Sequence, residues 1–297
     1  MVHNSRLYLP PELYRPIILH LRQDRPSLLA VSLASRILNA EGQRALYRTI
    51  DISHCDAQTT HTLLLETILS KDRLALLVEE YCQPNILRSR EDPLWDLLHR
   101  GLQAMVNLKR LFLEVTSHGR PSIDILRGCS FQLDSLQWYN TSDLNEEEPE
   151  FLEFLSSQPR LRSLSVCLKN TSTPIPPSTC PTLEILHGDQ GAMKSLLPER
   201  RIISLALKWM PNPNESFNDF NFTSLSRSLK EVKFLSWGGF CGRPSLDLLC
   251  PHLQSLEVLE LVGVHDLMVR LRSSLASASF LLTKDFRSFY FFPKFRA

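Results

Sequence analysis

Apolar positions recur along this chain with two periods, and the change from one to the other divides it. From Leu13 to Leu46 the period is helical: Leu13, Ile17 and Leu21 stand at i, i+4 and i+8, with Ile18 and Leu19 widening the stripe. The run Gln23-Asp24-Arg25-Pro26-Ser27 ends that helix and opens a second one carrying Leu28, Leu29, Val31, Ser32 and Leu33, and a third spans Ile37 to Leu46. Leu9-Pro10-Pro11-Glu12 is a natural helix start, because proline at the first helical position lacks only an N–H that would have no partner there. Glu12 then lies in the first turn, where the helix dipole favours a carboxylate. Pro16 falls inside the first helix and predicts a kink there, at a cost of roughly 3 kcal/mol. Residues 46–52 read as an extended exit, Ala57 to Ser70 as a helix with Leu63, Leu64 and Ile68 on one side, and Arg73 to Tyr81 as a second helical run, so 51–85 is expected to be a helical spacer.

Beyond residue 86 the period shortens. The pattern L-x-x-L-x-L occurs as Leu108-Leu111-Leu113, Leu133-Leu136-Trp138, Leu161-Leu164-Val166 and Leu183-Leu186-Gly188. It continues as Ile202-Leu205-Leu207, Leu229-Val232-Phe234 and Leu256-Leu259-Leu261. One match means nothing, since leucine is common, but these recur at intervals of 19 to 28 residues, close to the period of leucine-rich repeats. Each such unit gives one strand to a curved parallel sheet, which makes 86–265 a repeat region. Pro159 and Pro181 each stand two residues before the first leucine of a repeat, and proline biases the residue before it away from helix. Short helices are expected between strands, at Glu150 to Ser157 and Ser245 to Leu249. The asparagine or cysteine usual three residues past the last leucine is missing, so the solenoid should be irregular. Residues 266–297 break the pattern. Their last stretch, 280–297, holds seven aromatics with neither period, and reads as a partner-binding tail, a strand closing the last repeat or, the preferred reading, a product of truncation or misread splicing.

Composition narrows the classes. With 43% hydrophobic residues in 297, a packed core is expected. A formal net charge of +1 gives no bulk attraction to nucleic acid or to an anionic membrane. No apolar run reaches the length of a spanning helix and the first residues lack a secretory leader, so the expected location is the cytoplasm or nucleus. The seven cysteines are an odd number, scattered and without a C-x-x-C, and are expected to be free thiols.

Catalytic chemistry finds little purchase. Gly238-Gly239-Phe240-Cys241-Gly242-Arg243 lacks the lysine and hydroxyl residue of a phosphate-binding loop. His54, Cys55 and His61 have no fourth ligand at a usable spacing, and Cys241 with His252 is a pairing that any chain this rich in both residues would offer. The acidic run 143–150 reads as a solvated loop. No catalytic, cofactor or metal residue is assigned, and no enzymatic activity is expected.

Residues 9–50 resemble the F-box, the small helical module that docks substrate receptors onto the Skp adaptor subunit of cullin-RING ubiquitin ligases. The likeness rests on Leu9, Pro10, Glu12 and Leu13, on Ile17, Ile18 and Leu21, on Leu29 and Leu33 with Ser35-Arg36, and on Leu46-Tyr47, where Tyr47 stands in a place the family often gives to tryptophan. About forty residues cannot bury enough apolar surface to be comfortable alone, so such a module should use a partner. The chain beyond the module resembles the degenerate leucine-rich repeats that accompany F-boxes in many fungal proteins. The resemblance implies an α/β chain with a helical F-box at 9–50 and an irregular leucine-rich-repeat solenoid, acting as the substrate-recognition subunit of a ubiquitin ligase. Its adaptor-binding residues would be Leu9, Pro10, Glu12, Leu13, Ile17, Leu21, Leu29, Leu33, Leu46 and Tyr47.

The target would meet the strand side chains that alternate with the buried leucines. That parity selects Arg110, Phe112 and Glu114, then Gln137 and Tyr139, His187 and Asp189, Lys208, and Glu231 with Lys233. A mixed aromatic and charged row suits a protein target better than nucleic acid. The alternative is a leucine-rich interaction scaffold with no ligase role.

Overall fold

A computed structural model describes residues 10–22, 24–53, 58–86, 93–115, 123–140, 148–168, 175–209, 222–239, 249–262 and 288–291. The protein is α/β, with a helical N-terminal region and an open parallel sheet, and divides into two compact units. The first comprises residues 1–85, 91–112 and 125–131, and the second residues 86–90, 113–124 and 132–297.

The first unit opens with three helices, α1 (Pro11–His20), α2 (Arg25–Ala34) and α3 (Arg36–Arg48). Two of their starts are capped by the residues that helix termini favour: the Asp24 carboxylate accepts from Ser27 N at 3.2 Å, and Ser35 Oγ accepts from Leu38 N at 3.2 Å. Helix α1 continues through Pro16, which has no N–H to give the Glu12 carbonyl, so one bond of the ladder is missing. Ile18 of α1 and Leu28 of α2 are the buried aliphatic side chains of the module. Helices α2 and α3 approach so closely at Gly42 that a Cβ there would lie 2.1 Å from Ser32 Oγ. Ser32 Oγ donates to Leu28 O at 2.8 Å, and Asn39 Nδ2 donates to Ser32 O at 2.9 Å, so the polar groups in this contact are paired.

The unit continues with β1 (Thr49–Asp51), α4 (Gln58–Ser70), α5 (Asp72–Ala75), β2 (Glu80–Ile86), α6 (Pro93–Ala104) and the start of β3 (Arg110–Val115). Two expectations are corrected here. Arg73 to Tyr81 is not one helix: α5 ends at Ala75, and Tyr81 lies in β2, opposite Ile50 of β1 in a parallel pair. The extended exit at 46–52 is shorter than expected, because α3 runs on to Arg48. Strand β2 is hidden in the sequence because its inward positions are Tyr81 and Gln83 rather than leucines. Both are buried, and with His61 they close a ring of hydrogen bonds. The Tyr81 hydroxyl donates to Gln83 Oε1 (2.9 Å) and pairs with His61 Nε2 (2.7 Å), while Gln83 Nε2 lies 3.2 Å from His61 Nδ1. Only His61 protonated at Nε2 satisfies all three, and burial holds the Tyr81 phenol well above its ordinary pKa, so it remains a donor.

The second unit holds β4 (Ser135–Asn140), α7 (Glu148–Ser156), β5 (Ser163–Val166), β6 (Ile185–Gly188), α8 (Gln190–Leu196), β7 (Ser204–Trp209), α9 (Ser226–Leu229), β8 (Phe234–Gly239), β9 (Val258–Val262) and β10 (Ser288–Phe291). From β4 to β10 each strand lies parallel beside the one before it in the chain. Leu136, Leu164, Leu186, Leu205, Leu235 and Leu259 fall opposite one another in register and all are buried. The frame expected for the sixth match is therefore wrong by three residues: its strand buries Leu235 and Trp237, with Val232 as the first position, while Leu229 ends α9. The pattern occurs there twice in overlapping frames, and spacing alone favours neither. In the C-terminal segment, backbone 288–291 pairs with β9, Phe289 opposite Leu259.

A backbone motif repeats with the strands. The carbonyls of Asp134, Arg162, Glu184, Ile203 and Lys233 each accept the N–H groups of two successive residues at the entry to the next strand, at 2.7–3.1 Å. In the first unit Glu79 O does the same for Lys109 and Arg110. Buried side chains tie the connections down. Arg200 donates to the carbonyls of Ile175 (3.2 Å), Leu196 (2.9 Å), Pro176 (2.6 Å) and Thr179 (2.9 Å), and Gln158 Oε1 accepts from Leu133 N at 2.9 Å.

Candidate protein-docking faces

The three-helix module splits adjacent apolar residues between inside and outside. Ile18 is buried at 2% exposure, whereas Ile17 beside it is 45% exposed and Leu13, one turn earlier, also 45%. In α2, Leu28 is 1% exposed, while Leu29 and Leu33, one turn apart on another face, are 55% and 85% exposed. Ile37 at the start of α3 is exposed as well. Residues four apart share a helix face, so α1 and α2 each present a pair of bare aliphatic side chains. Burying such a side chain is worth about 1.5–3 kcal/mol, and a module of this size that leaves so many outside has surface to give to a partner.

Of the residues expected to meet an adaptor, Pro10, Glu12, Leu13, Ile17, Leu29 and Leu33 are exposed, and Leu21, Leu46 and Tyr47 half-buried; Leu9 lies outside the described residues. The family likeness does not mark Ile37, although its place after the Ser35 cap makes it the first apolar residue of α3.

The strand row of the second unit is Gln137, Ser165, His187, Ala206, Ser236 and Glu260, which the parallel register lines up across six strands. Ser165 is buried and the other five are partly exposed. Tyr139 is half-buried and its hydroxyl is hydrogen-bonded to Ser165 Oγ, so the phenol ring is held in place. The expected row omits Ser165 and Ala206 because it favours large aromatic and charged side chains, and Ser236 because the frame expected for its strand is three residues early; Glu260 is marked by the same alternation that marks Gln137.

Three expectations for this row change. Asp189 is buried at 7% and is a cap: its Oδ1 accepts from Ala192 N (2.9 Å) at the start of α8 and from Leu168 N (3.0 Å). Strand β6 ends one residue before it, at Gly188, so parity no longer applies. Glu231 and Lys233 precede β8, and Lys233 pairs with Glu257 at 2.9 Å; the strand position assigned to them belongs to Ser236. Lys208 lies in β7, with its side chain outside the described set. In the first unit Arg110 is exposed and paired with Glu80 at 2.9 Å, and Phe112 is half-buried; Glu114, in the second, is half-buried too.

The remaining candidate chemistry disperses. His54, Cys55, Cys241 and the acidic run 143–147 lie outside the described residues, and His61 belongs to the ring with Tyr81 and Gln83. Among the described residues no group of three or more His, Cys, Asp and Glu side chains is placed to hold a metal ion, and no helix is long and apolar enough to cross a membrane. The described thiols are free, and burial pushes Cys82 and Cys129 up to about 12 and Cys180 to about 11, which leaves them protonated and poorly nucleophilic at neutral pH. No protein-family model and no curated protein matches the chain.

Proposed function

We propose that the protein is an F-box substrate receptor with degenerate leucine-rich repeats, holding a Skp-type adaptor, and through it a cullin scaffold, by its N-terminal helices and a target protein by its strand row. The observation that carries this reading is the set of bare aliphatic side chains on the module: Leu13, Ile17, Leu29, Leu33 and Ile37 are exposed on helices that bury Ile18 and Leu28. The register of the strands supports the second half, because it sets Gln137, His187, Ser236 and Glu260 in one row, a mixed polar surface suited to a protein. Such a receptor does no bond chemistry. It contributes proximity, turning the encounter of a target with a ubiquitin-loaded enzyme into an effectively intramolecular one.

Co-elution with purified adaptor on size exclusion tests the reading. A complex is expected, and it should weaken when Leu9 and Pro10 are both replaced by alanine while circular dichroism is unchanged. Separate elution of the two proteins would instead favour an interaction scaffold with no ligase role.

A further inference from the structure

Two adjoining grooves lie in the first unit. The larger, about 790 Å³, runs past Arg22, Arg25, Arg48 and Arg110; the smaller, about 350 Å³, past Arg15, Arg44, Arg48 and Lys109. They share Leu19, Ala45 and Arg48, so they form one trough along α1 and α3. Seven cationic side chains line it against four carboxylates. Those carboxylates are Asp51 and Glu80 in the larger groove and Glu41 and Glu79 in the smaller. Three of them are taken: Arg44 pairs with Glu41, Arg48 and Lys109 share Glu79, and Arg110 pairs with Glu80. Asp51 accepts from Ser53 N at 2.9 Å. Arg15, Arg22 and Arg25 have no carboxylate within 4 Å among the described residues, and these three supply the excess charge in a chain whose formal net charge is only +1.

We propose that this trough binds an acidic peptide segment of a partner protein, with Arg22 and Arg25 as its principal anion contacts. The lining decides between a peptide and a small polyanion. Leu19, Ala45 and Leu46 give the larger groove an apolar wall, and Leu19 is 39% exposed into solvent. A free polyphosphate gains nothing from such a wall, whereas an extended peptide alternates its side chains and can offer apolar groups to the wall while its acids face the arginines. Guanidinium groups hold carboxylate and phosphate alike, through paired N–H donors, so the acids can be Asp and Glu or phosphorylated residues. The anion contacts Arg22 and Arg25 lie outside the residues proposed for the adaptor, and of the trough's apolar wall only Leu46 is shared with them.

Fluorescence anisotropy on the full chain tests the proposal with three labelled peptides: one alternating Glu and Leu, one with phosphoserine in place of Glu, and one with Gln in place of Glu. At least one acidic peptide should bind, the Gln peptide should bind roughly tenfold more weakly or not at all, and binding should fall with added salt. Arg22→Gln with Arg25→Gln should cost roughly tenfold in affinity, while Arg227→Gln with Lys230→Gln, which removes the same charge from the second unit, should cost nothing. Binding of the Glu peptide as well as the phosphopeptide assigns the site to acidic chains in general, and binding of the phosphopeptide alone assigns it to modified ones. The proposal is overturned if neither acidic peptide binds better than the Gln peptide, if the two pairs of substitutions act equally, or if tripolyphosphate binds at Arg22 and Arg25 while no peptide does.

Discussion

Arg48 grips Glu79 through two guanidinium nitrogens, Nε at 3.2 Å and Nη2 at 3.1 Å. Arg48 is the last residue of α3 and Glu79 directly precedes β2, so the pair ties the helical module to the strands after it. Lys109 reaches the same carboxylate at 3.3 Å, and the backbone repeats the link, Arg48 O accepting from Glu79 N and Glu79 O from Lys109 N. The module and the first strands of its unit are therefore joined by a shared polar position rather than by a free linker.

Burial pushes the Glu79 carboxyl up, but the Lys109 hydrogen bond and the charges of Arg48 and Lys109 outweigh it and hold the group below its ordinary value. A carboxylate with a lowered folded pKa stabilises the fold above its unfolded pKa and loses that contribution as pH falls through the folded one. Glu79→Gln should therefore lower the melting temperature at neutral pH by an amount equivalent to no more than about 1 kcal/mol, since all three side chains are partly exposed. The gap from the wild type should close on acidification. A gap that stays constant into the acid range would show that the ion pairs are not its cause.

Gly188 stands where the repeat pattern asks for a leucine, because a Cβ there would lie 2.7 Å from Val166 O and 2.6 Å from Ala192 Cβ. Backbone cannot rotate away, so Gly188→Ala should destabilise the second unit by roughly 1–3 kcal/mol in chemical denaturation. An unchanged midpoint would mean that α8 does not pack against β6 as described.

Much of this fold is legible in the sequence because its buried positions are leucines at a fixed spacing. Leu111, Leu136, Leu164, Leu186, Leu205 and Leu259 all stand out from the pattern and all are buried strand residues. The features that are not legible have physical reasons. Tyr81 and Gln83 satisfy one another and His61 through hydrogen bonds, so their positions are buried without being apolar. The strand after α9 offers two frames three residues apart, and only pairing of Leu235 with Leu205 chooses between them. Asp189 is acidic on an expected exposed row, but a strand that ends one residue early makes it a helix cap. On the module, exposure of Leu13, Ile17, Leu29 and Leu33 comes from an apolar stripe too wide for so small a core, a mismatch visible in the sequence. The arginine trough is not visible there, because Arg22 just after α1, Arg48 of α3 and Arg110 of β3 come together only in the fold.

Arg200 satisfies four carbonyls from inside the second unit, and burial, outweighing the nearby Cys180 thiol and Glu199 carboxylate, lowers its pKa. Arg200→Met would strip those carbonyls of their donors at once and should cost about 3 kcal/mol or more. Arg200→Lys keeps a cation but not the planar fork, and should recover only part of the loss. Equal stability of all three proteins in urea would contradict this role.

Cys129 and Cys180, held near 12 and 11 by burial, should resist alkylation by iodoacetamide at pH 8 in the native protein and react fully once it is unfolded in urea. Mass spectrometry of digested protein reads each site separately. Rapid native modification at Cys180 would mean that the loop clasped by Arg200 opens readily.

We propose that the bare aliphatic pairs of α1 and α2 dock the adaptor, and calorimetric titration of purified adaptor into the full chain measures this directly. The wild type should give a saturable one-to-one isotherm with a negative heat-capacity change, the mark of apolar burial. Replacing Leu13, Ile17, Leu29 and Leu33 together by serine should abolish the heat of binding without lowering the melting temperature, because these side chains are exposed in the free chain. Identical isotherms for the two proteins, or no binding by the wild type, would contradict the account.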